Sequence, residues 1–407
     1  MSWVKQQLER QREEGWSSIG EKWACPRCFP DYAIRRFIRE SANSTVCSYC
    51  GRLSKKTIAA AMDEILSFIA TGVRREYEAP EHQVPHDSSE GGWQLFTPQD
   101  GYNLIRDLGF GDCPSPLLND ITRSFSGTEW VQKDPFSLLA CDALRFTWET
   151  FCEQVKHRTR FVFYRTRSKL SSMEELGHSE PHEILETFGR LVRRFRTFST
   201  LPAGTRVVRA RQHEPTISPA TAAQLGPPLR EQSRQSRMSP AGIPMFYGAD
   251  NEKTAFVETF EPSAKKEKAM SFATFRSTRP LRLLDLARIP SIPSLFDETR
   301  YDDRMSLIFL HGFKRDAVKP VVRDGSEHYE YVPTQIVAEF FRHVFALRGG
   351  NRLDGIRFQS SRPGGTICYS LFLGADDCCD PPAPFDKILW LESNRTCRIN
   401  FKTGSFK

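Results

Sequence analysis

The 407-residue chain has no run of eighteen apolar residues, which excludes an ordinary helical membrane span. Its opening stretch, MSWVKQQLERQREEGW, is charged and has no apolar h-region. It therefore does not read as a secretory signal, and the expected location is the cytoplasm. There is no Walker loop, no Gly-x-Gly-x-x-Gly, no His-Glu-x-x-His and no Gly-x-Ser-x-Gly, so those four chemistries have no footing. Internal repeats and low-complexity tracts are also missing, as is any Lys/Arg block of five or more. Read as spread over the whole length, the formal charge of +7 serves solubility, and it also suits an anionic ligand, a nucleotide or a nucleic acid.

What is present reads as a globular chain of two or three domains, with 39% hydrophobic and 26% charged residues. Eleven cysteines without an export signal argue against a disulfide framework. Four of them form two hooks, Cys25-x2-Cys28 and Cys47-x2-Cys50, in WACPRCFPDYAIRRFIRESANSTVCSYCG. Each hook offers two thiolates from a tight turn, the donor set of a tetrahedral Zn²⁺ site. With all four positions taken by protein, the metal is expected to be structural and to staple a small ribbon over residues 1–53.

Residues 54–198 read as a helical region. Ile58, Met62, Ile65, Phe68 and Ile69 recur at helical spacing in SKKTIAAAMDEILSFIATGV. TPQDGYNLIRDLGF predicts a helix opened by Thr97 with Pro98 at its first position, and a longer one is expected from Asp134-Pro135 through FSLLACDALRFTWETFCEQVKH. In PHEILETFGRLVRRFRTF, Ile184, Leu185, Phe188, Leu191, Val192 and Phe195 make an apolar face, with arginines mostly opposite. From STLPAGT onward short strands appear (RVVRAR, MFYGA, LRLLDL, DGIRFQS, YSLFLG) together with a helix in TQIVAEFFRHVFAL. They predict an α+β domain over 199–407.

Within that domain, alternation along TRVVRARQ puts Arg209 and Arg211 on one face of a strand. In RMSPAGIPMFYGADNEKTAFVE, Arg237 precedes a turn, Tyr247 lies in the next strand, and Asp250 or Asn251 caps a helix bearing Glu258. Phe256 and Phe260 share one face of that helix and Glu258 points away from them. SSRPGGT is a Ser/Gly turn suited to a phosphate or ribose, and equally to a plain loop. Pattern alone is also met by a strand–turn–strand–helix unit with solvated charges.

Four segments in order, RVVRARQ, RMSPAGIPMFYGADNEKTAFVE, YVPTQIVAEFF and DGIRFQSS, resemble a RES domain, over about residues 199–395. CPRCFPDYAIRRFI and CSYCG are similar to the zinc-knuckle segment joined to a HEPN-like helical region that is found ahead of RES domains. The resemblance implies a C-terminal fold like that of mono-ADP-ribosyltransferases, acting on NAD⁺ as substrate. Carried over residue by residue, it implies Arg209 and Arg237 as the arginines, Tyr247 as the aromatic position, Glu258 as the glutamate and Ser360 or Ser361 as the serine. Gln335 falls in a matched segment without an assigned role. Met238 stands where an aromatic residue is common, and Phe358 where tyrosine is. An Arg-x4–6-His spacing, the signature of HEPN ribonucleases, occurs from Arg323 to His328, but in a polar stretch far downstream of the helical region, where it reads as chance.

The chemistry these residues would serve is cleavage of the nicotinamide–ribose bond. Nicotinamide leaves NAD⁺ as a neutral base, so the site needs no general acid, only a bent substrate and an anion facing the oxocarbenium-like transition state. Arg209 and Arg237 suit the pyrophosphate, Tyr247 stacking on nicotinamide or ribose, Glu258 the ribose hydroxyls and C1′, and Ser360 substrate orientation. Three readings stay open: an NAD⁺ glycohydrolase or phosphorylase acting as a toxin or defence effector; an ADP-ribosyltransferase modifying a protein or nucleic acid; and a zinc-containing nucleic-acid sensor with an inactive RES fold. Control of an NAD⁺ consumer is expected to reside in the N-terminal half, through an antitoxin or a trigger protein or nucleic acid. A homo-oligomer is compatible with all three.

Overall fold

The computed structural model describes residues 13–89, 92–165, 180–260, 269–319, 325–384, 386–400 and 405–406. It divides into two compact units, Met1–Ala140 with Ile292–Leu307, and Cys141–Ser291 with Ile308–Lys407. The first is helical with two short strand pairs and a small three-stranded sheet among its described residues, the second α+β. Among the described residues no helix is long and apolar enough to cross a membrane.

In the first unit α1 (Tyr32–Glu40) starts where Asp31 accepts the N–H groups of Ala33 and Ile34 at 2.8 and 3.1 Å. It buries Ala33, Ile34 and Ile38, which its 3.6-residue period brings to one face. α2 (Met62–Val73) buries Ile65, Leu66, Ile69 and Val73. Its start lies well inside the stretch expected to be helical, because Ala60–Ala61 pairs as a strand with Trp23–Ala24. α3 (Gly101–Asp107) is capped by Asp100, which accepts the Tyr102 N–H at 2.6 Å, rather than by Thr97. α4 (Ser115–Phe125) adds Leu117, Ile121 and Phe125. These side chains form one core with Cys25, Cys28, Cys47, Leu295 and Phe296, so the cysteine segment is built into the helical core instead of standing apart as a ribbon.

The second unit begins with α5 (Ala140–His157, in this unit from Cys141) and α6 (Ile184–Phe195). Helix α5 opens at Ala140, later than Asp134-Pro135, since Asp134 has a positive φ of 53° that no helix accommodates. The sheet contains β1 (Phe198–Leu201), β2 (Arg206–His213), β3 (Phe246–Ala249), β4 (Ala269–Ser277), β5 (Leu281–Asp285), β6 (Gly355–Gln359), β7 (Ile367–Leu371), β8 (Cys378–Cys379), β9 (Leu389–Asn400) and β10 (Ser405–Phe406). Their order is β8-β9-β4-β2-β3-β7-β6-β5-β1, with β10 paired to β9. Only β5–β6 and β8–β9 are parallel.

One junction in this sheet is weak. β2 pairs with β4 from Arg206 to His213, and β3 pairs with β7 along its whole length, but β2 meets β3 only at Val208↔Ala249. The sheet therefore splits between β2 and β3. One side chain set (Val207, Phe246, Phe275, Leu283, Leu371) packs on one face, and the alternate set (Val208, Ala249, Met270, Phe272) packs with Ala255 and Phe256 on the other. The latter two belong to α7 (Glu252–Thr259). Helices α8 (Tyr301–Val318, in this unit from Ile308) and α9 (Val332–Glu339) follow.

Gly248 keeps the split narrow. A Cβ there would lie 2.5 Å from Val207 Cγ1 and 3.1 Å from the Val208 carbonyl oxygen. Neither a β-branched side chain nor a strand carbonyl yields easily, so Gly248→Ala is expected to cost about 1–3 kcal/mol as an overpacked contact. Urea unfolding followed by circular dichroism checks this, and a midpoint equal to wild type would show that β3 shifts freely.

Candidate active site and metal centre

Arg209 occupies the split. Its neighbours Val208 and Ala210 turn to the α7 face, so Arg209 and Arg211 turn to the other, as the strand period requires. Beyond Val208 the β2–β3 ladder is lost, and Arg209 Nη1 crosses the gap to donate to the Tyr247 carbonyl at 2.8 Å. The guanidinium carbon sits 5.5 Å from the Phe246 ring centre. Its Nε is buried with no acceptor among the described residues. Burial, with the Arg211 charge as a smaller cause, lowers its pKa to about 10. Arg211 is exposed and bonds to the Gln224 carbonyl.

Arg237 is held by a different device. Ser236 and Ser239 pair through their backbones, and Tyr247 places its hydroxyl against both serine hydroxyls, 3.1 Å from that of Ser239. From α9, Gln335 Nε2 donates to the carbonyls of Ser236 and Ser239 at 2.8 and 3.2 Å, and Thr334 Oγ1 donates to the Arg237 carbonyl at 2.6 Å. Gln335 is thus a buried anchor of the Arg237 turn and lies outside the cavity described below. The Arg237 guanidinium donates to the Ala317 carbonyl at 3.2 Å and to that of Lys319, at the C-terminal end of α8. It lies 5.9 Å from the Tyr331 ring centre. Burial lowers its pKa, opposed by Tyr331 and Glu258. Tyr247 is pushed the other way by burial and stays a neutral phenol.

Helix α7 starts at Asn251, whose Oδ1 accepts the Thr254 N–H at 2.8 Å. The alternative cap, Asp250, instead accepts from Thr366 Oγ1 at 2.6 Å. Phe256 and Phe260 stack with centres 5.0 Å apart, and Glu258 is exposed on the helix. Its Oε1 accepts a hydrogen bond from Ser360 Oγ at 2.5 Å. Ser360 follows β6, and its N–H bonds to the Thr366 carbonyl at 2.9 Å. The turn closes this tightly because residue 365 is glycine: a Cβ there would lie 2.3 Å from Ser360 Oγ. Ser361 is exposed, and its hydroxyl has no hydrogen bond among the described residues. Of the two serines, the geometry brings Ser360 to the glutamate.

A cavity of about 80 Å³ opens beside Glu258, lined in part by Ala210, Tyr247, Gly248, Phe358, Cys368 and Tyr369. Tyr247 and Glu258 thus share a wall, whereas Arg209, Arg237 and Gln335 do not reach it. The sequence reading missed Cys368, whose Sγ lies 3.7 Å from Glu258 Oε1. Burial first, and Glu258 second, push that thiol up. Its only sequence signal was its place on an inward-facing strand position. Of the Arg323–His328 pair, Arg323 lies outside the described residues, and His328 bonds to the Gly325 carbonyl.

In the first unit the four knuckle cysteines converge, all Sγ atoms lying within 4.8 Å of one another. Cys25–Cys28, Cys25–Cys50 and Cys28–Cys47 are 3.8, 3.6 and 3.7 Å apart. A tetrahedron of sulfurs about 2.3 Å from a Zn²⁺ ion has edges of about 3.8 Å, while a disulfide needs about 2.05 Å, so the set fits a tetrahedral metal and not a cross-link. Burial raises the pKa of Cys47, but the N–H groups of Cys50, Tyr49 and Cys25 outweigh it and bring it down to about 7, the condition for a thiolate donor. Burial pushes Cys25 and Cys28 up.

Residues 205–387 match the family model described as RES domain, and residues 40–169 match the one described as HEPN/RES N-terminal domain 1. No curated protein and no solved structure matches the chain. The chain thus joins a HEPN/RES N-terminal domain to a RES domain.

Proposed function

We propose that the RES domain consumes NAD⁺ by cleaving its nicotinamide–ribose bond, as a hydrolase or phosphorylase, and that the chain is an NAD⁺-depleting toxin or defence effector. The observation carrying this reading is electrostatic. Arg209 and Arg237 are half-buried guanidiniums with no carboxylate at ion-pair distance among the described residues, where their side-chain hydrogen bonds go to carbonyls, and burial lowers the pKa of both. A desolvated cation without an anion is costly, and a pyrophosphate accepting from the guanidinium forks would relieve it. Arg209 Nε is a donor still waiting for an acceptor.

The 80 Å³ cavity is the size for one ring rather than a dinucleotide, since whole ligands of that class need several hundred Å³. It would take the nicotinamide end against Tyr247, whose ring is immobilised by the serine bonds to its hydroxyl. Glu258 would then face C1′. As the C–N bond breaks, its electron pair leaves with nicotinamide, the carboxylate offsets the positive charge left on the ribose, and water or phosphate adds to C1′ and releases its proton to solvent. Ser360 would orient the carboxylate through its hydrogen bond. The split sheet with its arginine, glutamate and serine is also what supports a fold of the mono-ADP-ribosyltransferase kind.

The test is incubation with NAD⁺ and product analysis. Free nicotinamide with ADP-ribose, or with its phosphate ester, supports the reading. A labelled macromolecule would move the chain to the transferases, and unconsumed NAD⁺ would sink the proposal. Arg209→Lys should lower turnover at subsaturating NAD⁺ by about tenfold or more, because lysine keeps the charge but loses the fork that spans Tyr247 and the ligand. An unchanged kcat/KM would remove Arg209 from the site.

A further inference from the structure

The net charge of the chain is not spread along it. Residues 22–58 carry eight Lys and Arg (Lys22, Arg27, Arg35, Arg36, Arg39, Arg52, Lys55, Lys56) against Asp31 and Glu40, a net +6 of the chain's +7. One of the two carboxylates, Asp31, is already committed to the N-cap of α1. This segment wraps the cysteine knuckle.

The basic side chains divide into two sets. Lys22 pairs with Asp120 at 2.5 Å, Arg36 with Asp297 at 3.0 Å, and Arg35 Nε donates to the Phe29 carbonyl at 2.5 Å. Arg27, Arg39 and Arg52 are exposed and make no side-chain hydrogen bond or ion pair among the described residues. These three are the ones that converge. They line a cavity of about 300 Å³ whose remaining walls are Pro26, Ala42, Thr57 and Ile58, with no carboxylate among them. Lys55 and Lys56 are exposed next to it in sequence.

Three guanidiniums around one concavity repel each other, and no carboxylate among the described residues pairs with them. Such an arrangement is a cradle for an anion rich in oxygen acceptors, and guanidinium forks match phosphate geometry. We propose that this face of the knuckle binds the phosphodiester backbone of a nucleic acid, with one phosphate seated among Arg27, Arg39 and Arg52. A polyanion is favoured over a small phosphate compound because the positive charge runs past the cavity to Lys55 and Lys56. A single phosphate would leave those lysines uncompensated. Its residues belong to the first unit, and Glu258 and Arg209 to the second, so it adds a sensing or localising contact to the chain, and it stands whether or not the NAD⁺ reading does.

The experiment is fluorescence anisotropy of full-length, metal-loaded protein with labelled single-stranded RNA and DNA oligonucleotides. It is run between about 50 and 200 mM salt, where counterion release makes backbone binding fall steeply. Wild type is expected to bind, and the triple variant R27Q/R39Q/R52Q to bind at least about tenfold more weakly, with a log–log salt slope shallower by about 1. Arg27 lies between two cysteines, so R39Q/R52Q, which leaves the first hook untouched, should show the same direction with a smaller change. Bound metal and the circular dichroism spectrum serve as fold controls. Absence of binding at the lowest salt, or equal binding by both variants, overturns the proposal. So does displacement of the oligonucleotide by inorganic phosphate at micromolar concentration, which would mean a small-ligand site. Equal affinity for a poly-glutamate peptide would overturn it in favour of an acidic protein partner.

Discussion

Glu258→Gln should abolish NAD⁺ consumption while leaving the fold intact. The substitution is nearly isosteric, and an amide oxygen at the same position still accepts from Ser360 Oγ, so the loop after β6 keeps its anchor. What is lost is the negative charge. Glu258 is exposed on α7, packs into no core and makes no ion pair among the described residues, so stability should change by less than about 0.5 kcal/mol. A preorganised group facing charge that develops in the transition state is worth about 3–4 kcal/mol, a fall in kcat on the order of a hundred- to a thousandfold. The effect should lie in kcat rather than KM, because the oxocarbenium charge on the ribose develops only as the bond breaks. The measurement is initial NAD⁺ loss for wild type and variant at matched thermal midpoints. A variant that turns over NAD⁺ as fast as wild type would remove Glu258 from the chemistry, whatever the fate of the arginines.

The second large effect is on stability. Stripping metal with a strong chelator, or substituting Cys28→Ser, is expected to unfold the first unit. Cys25, Cys28 and Cys47 are buried in the same core as Ile34, Ile65, Leu66, Leu117 and Phe125. Losing the centre would therefore not merely release a loop. It would leave four close-packed sulfurs, three of them buried in that core, with no ion to join them. Structural zinc sites contribute roughly 10–16 kcal/mol of apparent binding free energy in small peptides, and whole domains are stable by only about 5–15 kcal/mol, so a metal bound here would decide whether the unit folds. One equivalent of zinc per chain by elemental analysis, and loss of helical circular dichroism on chelation, are the expected results. A chain purified without metal that melts as cooperatively as the loaded protein would rule out this role.

Several features of the site were legible in the sequence because they are local. Asn251 three residues before Thr254 is a capping arrangement that any five-residue window displays. The hooks of Cys25 with Cys28 and Cys47 with Cys50 announce their donors by spacing. The separation of Glu258 from Phe256 and Phe260 follows from helical period alone. Tyr247 on a strand and the Ser-Gly turn at 360–366 were likewise readable. Helix starts were less so: Thr97 lost to Asp100, and the expected start near Ser54 moved to Met62, because strand pairing between Trp23–Ala24 and Ala60–Ala61 claimed residues that look helical by composition.

The amino-acid sequence by itself determined the cysteine donor set, the α+β character of residues 199–407 and the residue types at the RES positions. The tertiary structure decided the rest. It put the Ser360 hydroxyl, not that of Ser361, on Glu258, and gave Gln335 its place as the anchor of the Arg237 turn. It opened the β2–β3 split that Arg209 spans, and it gathered three unpartnered arginines on the knuckle. The physical reason is contact order. Each of these relations joins residues that lie far apart along the chain, or depends on which strand finds which neighbour, and such pairings are set by burial and register across the whole unit rather than by any local window.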